Sequence, residues 1–222
     1  MHVRSGSGGS AGVPSDRDAM RPGMAGAPGR REAHRMASRI GHPLQAIPDG
    51  RRRRFFVPLL VLTLSLMLGV MAPVDVPLRT SASPNGIVSY EVAGDAASAR
   101  RMIEAWDERA RRYAAFSLGV DYLFMAAYST TIALACVWAA GVLGRRSVAL
   151  ASAGVALAWG QWLAAGCDAT ENAALTTMLL GAVRDPWPAV AWWSAVTKFA
   201  LIVAGILYTL AAVGVRLARG RA

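Results

Sequence analysis

Lys198, the only lysine of the chain, stands in the middle of the apolar segment AVAWWSAVTKFALIVAGILYTLAAVGV. A cation at that depth of a membrane costs roughly 3 kcal/mol or more unless it snorkels to the surface or finds a partner. Three carboxylates, Asp121, Asp168 and Glu171, also lie in or at the ends of apolar stretches. Residues of these types in a membrane bind cations, carry protons or pair helices with one another. Their chemistry depends on whether the fold brings them together.

Helical spacing predicts that these side chains meet. Asp168, Glu171 and Asn172 follow one another at three- and four-residue steps, so they share one helix face. Helical side chains lean towards the N-terminus of their helix, which narrows the gap between Lys198 and Asp168. The predicted polar cluster consists of Asp121, Tyr128, Gln161, Asp168, Glu171, Asn172 and Lys198. No metal ligand set and no cofactor motif is predicted.

Composition indicates an integral membrane protein. Of 222 residues, 54% are hydrophobic and 17% are charged, whereas a soluble domain has about 25% charged residues. Apolar runs close to the length of one membrane crossing recur along the chain. The net charge of +10 is interpreted as a topology signal, because no basic patch interleaved with aromatic residues supports nucleic-acid binding.

The predicted fold class is all-α, a four-helix transmembrane bundle within residues 51–222. The spans are expected at about 55–73, 117–143, 148–172 and 189–216. The first span could instead be a cleaved signal peptide, but its length favours an uncleaved helix. The third apolar stretch exceeds one crossing, so it must tilt, break near residues 168–172, or emerge into the interface.

Two regions lie outside these spans. Residues 1–50 are rich in Gly, Ser, Pro and Arg and are predicted to be a disordered tail. Between the first two spans, Gly86 to Val92 has strand-like character, and Asp95 can cap an amphipathic helix. That helix lies on the membrane or caps the bundle, or else it continues into the second span as one long helix.

Loop charge predicts the orientation. The arginines at 51–54, the Arg145-Arg146 pair and the C-terminal arginines fall on one side of a four-span bundle. The positive-inside rule places this side and both termini in the cytoplasm of a cell whose plasma (inner) membrane holds the protein. The amphipathic helix and the intramembrane charges are then expected at the extracytoplasmic side.

The predicted cluster has fewer cations than carboxylates. One lysine faces three acids, so protons, a bound cation, an amine ligand or water must compensate. The alternative interpretation is structural: a Lys198–Asp168 or Lys198–Glu171 pair fixes helix register, with the remaining acids hydrated. Both interpretations stay open at this point.

Several segments carry a family resemblance. The stretches GIVSYEVAG, FSLGVDYLFMAAYSTTIAL, AWGQWLAAGCDATENAAL and AVTKFALI resemble small bacterial four-span membrane proteins that are known only as uncharacterised. The resemblance covers about residues 85–210 and implies architecture without activity. At the level of fold alone, the chain is similar to the four-span bundles of the sterol-isomerase and sigma-2-receptor type, whose intramembrane acids face a lipophilic cavity.

Three functional hypotheses follow. The first is a membrane protein whose outward-facing polar site binds a cation or an amphiphilic small molecule. The second is a structural or assembly protein whose buried charges fix helix packing. The third, less favoured, is a membrane enzyme that acts on a lipid or isoprenoid through a carboxylate pair. The expected partners are the lipid bilayer and either further copies of the chain or a larger membrane protein.

Overall fold

The computed structural model describes residues 41–219, and all regular structure within them is helical. The helices are α1 (Asp49–Leu66), α2 (Ala72–Asp75), α3 (Ile87–Glu91), α4 (Ala96–Ala105), α5 (Glu108–Leu143), α6 (Val148–Leu179) and α7 (Trp187–Arg219). A π-helical turn, Met67–Met71, joins α1 to α2, and a 3₁₀ turn, Val76–Leu78, follows α2. Four helical stretches, Gly50–Leu78 and the helices α5, α6 and α7, are long and apolar enough to cross a membrane. The predicted all-helical chain with four candidate membrane-spanning helices is confirmed.

The helices α5, α6 and α7 pack against one another, and α1 packs mainly along α5. Small residues allow the close approach of α5, α6 and α7, as in many membrane bundles. Gly205 of α7 shows this directly, because an added Cβ there would lie 2.6 Å from Gln161 Nε2. On the other side of α5, the hydroxyls of Thr63 in α1 and Thr131 in α5 lie 3.1 Å apart and share a hydrogen bond.

Residues 79–107 form a separate layer over one end of the bundle, which we call the cap. The strand predicted at Gly86 to Val92 is wrong, because this segment forms α3. A tertiary contact fixes the start of α3: the Asp75 carboxylate accepts a hydrogen bond from the Ile87 backbone N–H at 2.7 Å. Gly86 has φ +57°, which a side chain rarely tolerates, and an added Cβ there would collide with Asp75. Apolar and β-branched residues had favoured a strand locally, and this contact overrides them.

The amphipathic segment after Asp95 combines the two predicted alternatives. Asp95 caps α4 by accepting from the Ser98 N–H at 2.8 Å, as its position indicates. The helix then ends before Trp106, whose buried indole N–H donates to the Leu78 carbonyl at 2.9 Å. Asp107 caps α5, which continues without interruption from Glu108 into the span. The first half therefore belongs to the cap, and the second half is the extended start of α5.

The long helices exceed the predicted spans at their ends. Polar residues do not interrupt α6, which runs unbroken past Asp168 and Asn172 to Leu179. The cap packs on the ends of the bundle where α5 and α7 begin and α6 ends; the shared apolar core includes Leu78, Tyr90, Trp106, Leu118, Leu175 and Ala191. We call this the capped end. The opposite, arginine end holds residues 51–54, Arg145, Arg146, Arg216 and Arg219.

The described part of the N-terminal tail lies against the bundle. Residues 43–46 form a turn, Leu44 is buried, and the Trp159 indole N–H donates to the Gly41 carbonyl at 2.9 Å. Gly41 and Leu44 therefore contact the bundle, whereas Gln45, Ala46 and Pro48 are exposed. The prediction of disorder over 1–50 did not include this contact. Leu44 supplies the reason, since its side chain joins an apolar cluster with Ala133 and Leu134. The remainder of that prediction, over 1–40, lies outside the described residues.

Candidate functional site

Lys198 of α7 is held between two carboxylates of α6. Its Nζ lies 2.8 Å from Asp168 Oδ1 and 2.8 Å from Glu171 Oε2. The three residues have exposed fractions of 5%, 1% and 0% for Lys198, Asp168 and Glu171, respectively. Both ion pairs that the sequence suggested are thus present at once. Such a buried ion pair offsets desolvation only when its geometry is close, as it is here.

Asp168 connects three helices. Its second oxygen, Oδ2, accepts a hydrogen bond at 2.8 Å from the hydroxyl of Tyr128 in α5. Because Oδ1 faces Lys198 in α7, both oxygens of this carboxylate have partners. A buried carboxylate with every oxygen satisfied is the arrangement expected of a structural anion.

Asp121 and Asn172 form a second buried pair between α5 and α6. The Asn172 amide donates to Asp121 Oδ2 at 2.7 Å, and both side chains are buried. Asn172 stands one turn beyond Asp168 on the same face of α6, as its spacing predicts. The capped-end half of the bundle therefore brings together Asp121, Tyr128, Asp168, Glu171, Asn172 and Lys198.

Gln161 occupies a different level of the same helix face. It precedes Asp168 by two helical turns, about 10 Å along the axis. Its Nε2 donates to the Leu201 carbonyl of α7 at 2.9 Å, and its Oε1 has no hydrogen-bond partner among the described residues. Gln161 therefore joins α6 to α7 below the cluster and does not contact the ion pairs.

Glu91, which the sequence prediction missed, is the fourth carboxylate of the site. It ends α3 in the cap, and its Oε2 lies 3.7 Å from Lys198 Nζ. The preceding residue fixes this position, because the Tyr90 hydroxyl donates to the Leu175 carbonyl of α6 at 3.0 Å. The available signal was an acid inside the apolar run GIVSYEV. Because that run was predicted to be strand-like and to lie between the first two spans, the sequence did not indicate that Glu91 lies over the bundle.

The site contains more negative than positive groups. Four carboxylates, those of Glu91, Asp121, Asp168 and Glu171, share this region with one lysine. Both oxygens of Glu171, and Oε2 of Glu91, have no hydrogen-bond partner among the described residues. The 2.8 Å contact from Glu171 to Lys198 is thus an ion pair without hydrogen-bond alignment. Unpartnered buried carboxylate oxygens are costly, so a proton or another cation must balance them.

Burial raises the pKa of Glu91, the cluster acid that lies outside the spans. The positive charge of Lys198 opposes this shift, while the charge of Asp168 adds to it. The side chain of Glu91 is only 12% exposed, which agrees with desolvation as the main cause. Within residues 41–219, no group of three His, Cys, Asp or Glu side chains is arranged to hold a metal ion.

Comparison of the chain with protein-family models, with curated proteins and with solved structures gives no match. The resemblance to small bacterial four-span proteins therefore stays an expectation from the sequence.

Proposed function

We propose that the chain is an integral membrane protein whose buried polar cluster binds an exchangeable cation, either a proton or a small amphiphilic ammonium ion. The observation that carries the proposal is a buried site that contains four carboxylates and only one lysine among the described residues. Asp168 is fully partnered, so Glu171 and Glu91, with their unpartnered oxygens, are the groups that would take the cation.

The distribution of arginine supports an orientation with both termini in the cytoplasm of the plasma (inner) membrane. The arginine end carries residues 51–54, Arg145, Arg146, Arg216 and Arg219, and this density favours the cytoplasmic side. The cap and the cluster beneath it would then face the cell exterior or periplasm. A ligand would reach the site from that side.

The cap would control access to the site. Glu91 belongs to α3, whereas Asp168 and Glu171 belong to α6, so a displacement of α3 would separate the acids without breaking α6. An entering cation would lie beside Lys198, between the carboxylates of Glu91 and Glu171, whose oxygens Glu91 Oε2, Glu171 Oε1 and Glu171 Oε2 accept no hydrogen bond from the described residues. It would replace one proton, which leaves to water, so the charge of the site stays constant.

Proton release on ligand binding tests this function. The full chain in detergent at low buffer strength is mixed with hexyltrimethylammonium, a probe without an acidic proton, and a pH-sensitive dye reports release. We expect up to one proton per protein molecule. Glu171→Gln should abolish the release, and Glu104→Gln, at an exposed acid of the cap, should preserve it. Absence of release with this probe would contradict binding of an ammonium ion, and a wild-type site that exchanges no proton at all would contradict the proposal.

A structural function is the second candidate, and the close ion pairs of Lys198 favour it. A lysine already bound at 2.8 Å to two acids resembles a fixed link between α6 and α7. The two functions predict different proton exchange in the wild type and in Glu171→Gln. A purely structural site should show no proton exchange in the wild type, whereas a binding site should lose exchange while the variant stays folded.

A membrane enzyme acting on a lipid or isoprenoid is the third hypothesis. It would use Asp168 and Glu171 as the acid–base pair, yet both oxygens of Asp168 already have partners in Tyr128 and Lys198. As partners we propose the lipid bilayer and further copies of the chain or a larger membrane protein. Cross-linking in native membranes, compared with the mass of the purified species, tests these partners.

A further inference from the structure

A groove of about 510 Å³ opens at the arginine end, between the end of α5 and the end of α7. Its lining consists of Trp138, Gly141, Val142, Arg145, Arg216 and Arg219. Lys198 precedes Arg216 by 18 residues along α7, about 27 Å at 1.5 Å per residue. This separation is close to the hydrocarbon thickness of a bilayer. The groove therefore lies about 27 Å along α7 from Lys198, at the opposite end of the bundle from the cap.

The charge of the groove is not compensated by the described residues. Three arginines and no carboxylate line it, and Arg145, Arg216 and Arg219 are all exposed. The ion pairs found within residues 41–219 involve Arg79, Arg112 and Lys198, not these three. A guanidinium group binds phosphate oxygens through paired N–H donors, so three arginines that line one groove match a phosphate group.

The floor of the groove is apolar and open. Trp138 and Val142 lie one turn apart on α5, and a Cβ added at Gly141 would meet no atom within 4 Å. Leu217, which follows Arg216 in α7, is 60% exposed, as expected of a side chain that faces lipid. Tryptophan at this level is typical of the interface between headgroups and acyl chains. The groove therefore has an apolar surface that can contact an acyl chain next to arginines that can bind a phosphate.

We propose that this groove binds the headgroup phosphate of an anionic phospholipid, with Arg145, Arg216 and Arg219 around the phosphate and one acyl chain over Gly141. The apolar floor favours a lipid over a free anion, which would need only the arginines. Basic pockets between transmembrane helices are known to bind anionic headgroups in this way. The proposal is independent of the function of the polar cluster.

Native mass spectrometry of the full chain in detergent tests the proposal. Phosphatidylglycerol and phosphatidylcholine with identical acyl chains are titrated, and the bound fractions give dissociation constants. We expect phosphatidylglycerol to bind at least about tenfold more tightly. Arg145→Gln and Arg216→Gln should each weaken it about fivefold, from the attraction expected per basic residue. Arg146→Gln is the matched control, because this exposed arginine at the same end does not line the groove.

A glycine pair separates a lipid from a free phosphate. Gly141→Leu fills the floor without changing the charge, whereas Gly214→Leu adds the same side chain at another open position outside the groove. We expect only Gly141→Leu to weaken phosphatidylglycerol binding, with inorganic phosphate giving no comparable occupancy. Equal effects of both glycine variants, equal effects of Arg146→Gln and Arg216→Gln, or equal affinity for both lipids would overturn the proposal.

Discussion

At the capped end, a single lysine shares a buried region with four carboxylates, whereas at the arginine end three exposed arginines line a groove that contains no carboxylate among the described residues. Charge at the capped end is removed from water, so each group needs a partner of opposite charge or a proton. Charge at the arginine end can stay solvated and meet phosphates. The same chain thus uses charge for internal contacts in one place and for external contacts in the other.

Loss of the buried lysine should give the largest effect. Lys198→Met leaves Asp168 and Glu171 as unpaired buried acids, so we expect a loss of about 3–5 kcal/mol in the free energy of unfolding. Unfolding in mixed micelles, followed by tryptophan fluorescence, measures it. Lys198→Met/Asp168→Asn should recover part of the loss, because one unpaired charge is removed. A single variant within about 1 kcal/mol of wild type would show that the cluster tolerates lone acids.

Substitution of two glycines of α7, one packed and one open, should give the next largest difference in stability. Gly205→Ala places a Cβ 2.6 Å from Gln161 Nε2 and 3.0 Å from Ile132 Cγ2, so we expect a loss of about 1–3 kcal/mol. Gly214→Ala, where a Cβ meets nothing within 4 Å, should be neutral or slightly stabilising. The same unfolding measurement compares them. Equal effects would mean that close packing of α6 and α7 does not limit stability.

Glu91 should make stability depend on pH in a defined direction. Burial raises its pKa above the ordinary 4.5, so the folded state holds the proton more tightly than the unfolded chain does. Its contribution is fully present below pH 4.5 and is lost as the pH rises through the folded pKa. Lys198, Asp168 and Glu171 face this group and modulate the shift.

Glu91→Gln removes this titration, so its stability relative to wild type should increase with pH. Melting curves between pH 4 and pH 9 measure the difference. Glu104→Gln, at an exposed acid of the cap, should follow the wild-type profile. A Glu91→Gln variant that loses stability relative to wild type as the pH rises would contradict the assignment of burial as the dominant cause.

The smallest effect on stability is expected at the arginine end. Arg216→Gln removes a solvated charge without a carboxylate partner among the described residues, so the free energy of unfolding should change by less than about 0.5 kcal/mol. Its lipid affinity should nevertheless decrease. A large loss of stability in lipid-free detergent would show that Arg216 makes internal contacts and would weaken the contrast between the two ends.

Helical periodicity in the sequence was sufficient to predict which polar residues share the buried face of α6. The steps between Asp168, Glu171 and Asn172 placed them on one buried face of α6, because helix geometry fixes which residues are neighbours. In α7, Lys198 and Gly205 stand seven residues apart, and both are buried. Helix ends were less predictable, since α5 begins at Glu108 and α6 continues to Leu179, well beyond the minimum needed for one crossing.

The sequence by itself determined the four apolar helices, the shared polar face of α6 and the asymmetric distribution of arginine, because hydrophobicity, helical period and charge are local properties. Only the tertiary structure decided that Lys198 contacts both Asp168 and Glu171, and that Glu91 lies within 3.7 Å of it. The cap depends on hydrogen bonds such as Asp75 to Ile87 and Tyr90 to Leu175, which join residues distant in sequence. Local propensity does not include such long-range contacts. For this reason the segment predicted as a strand instead forms α3, the helix that positions Glu91.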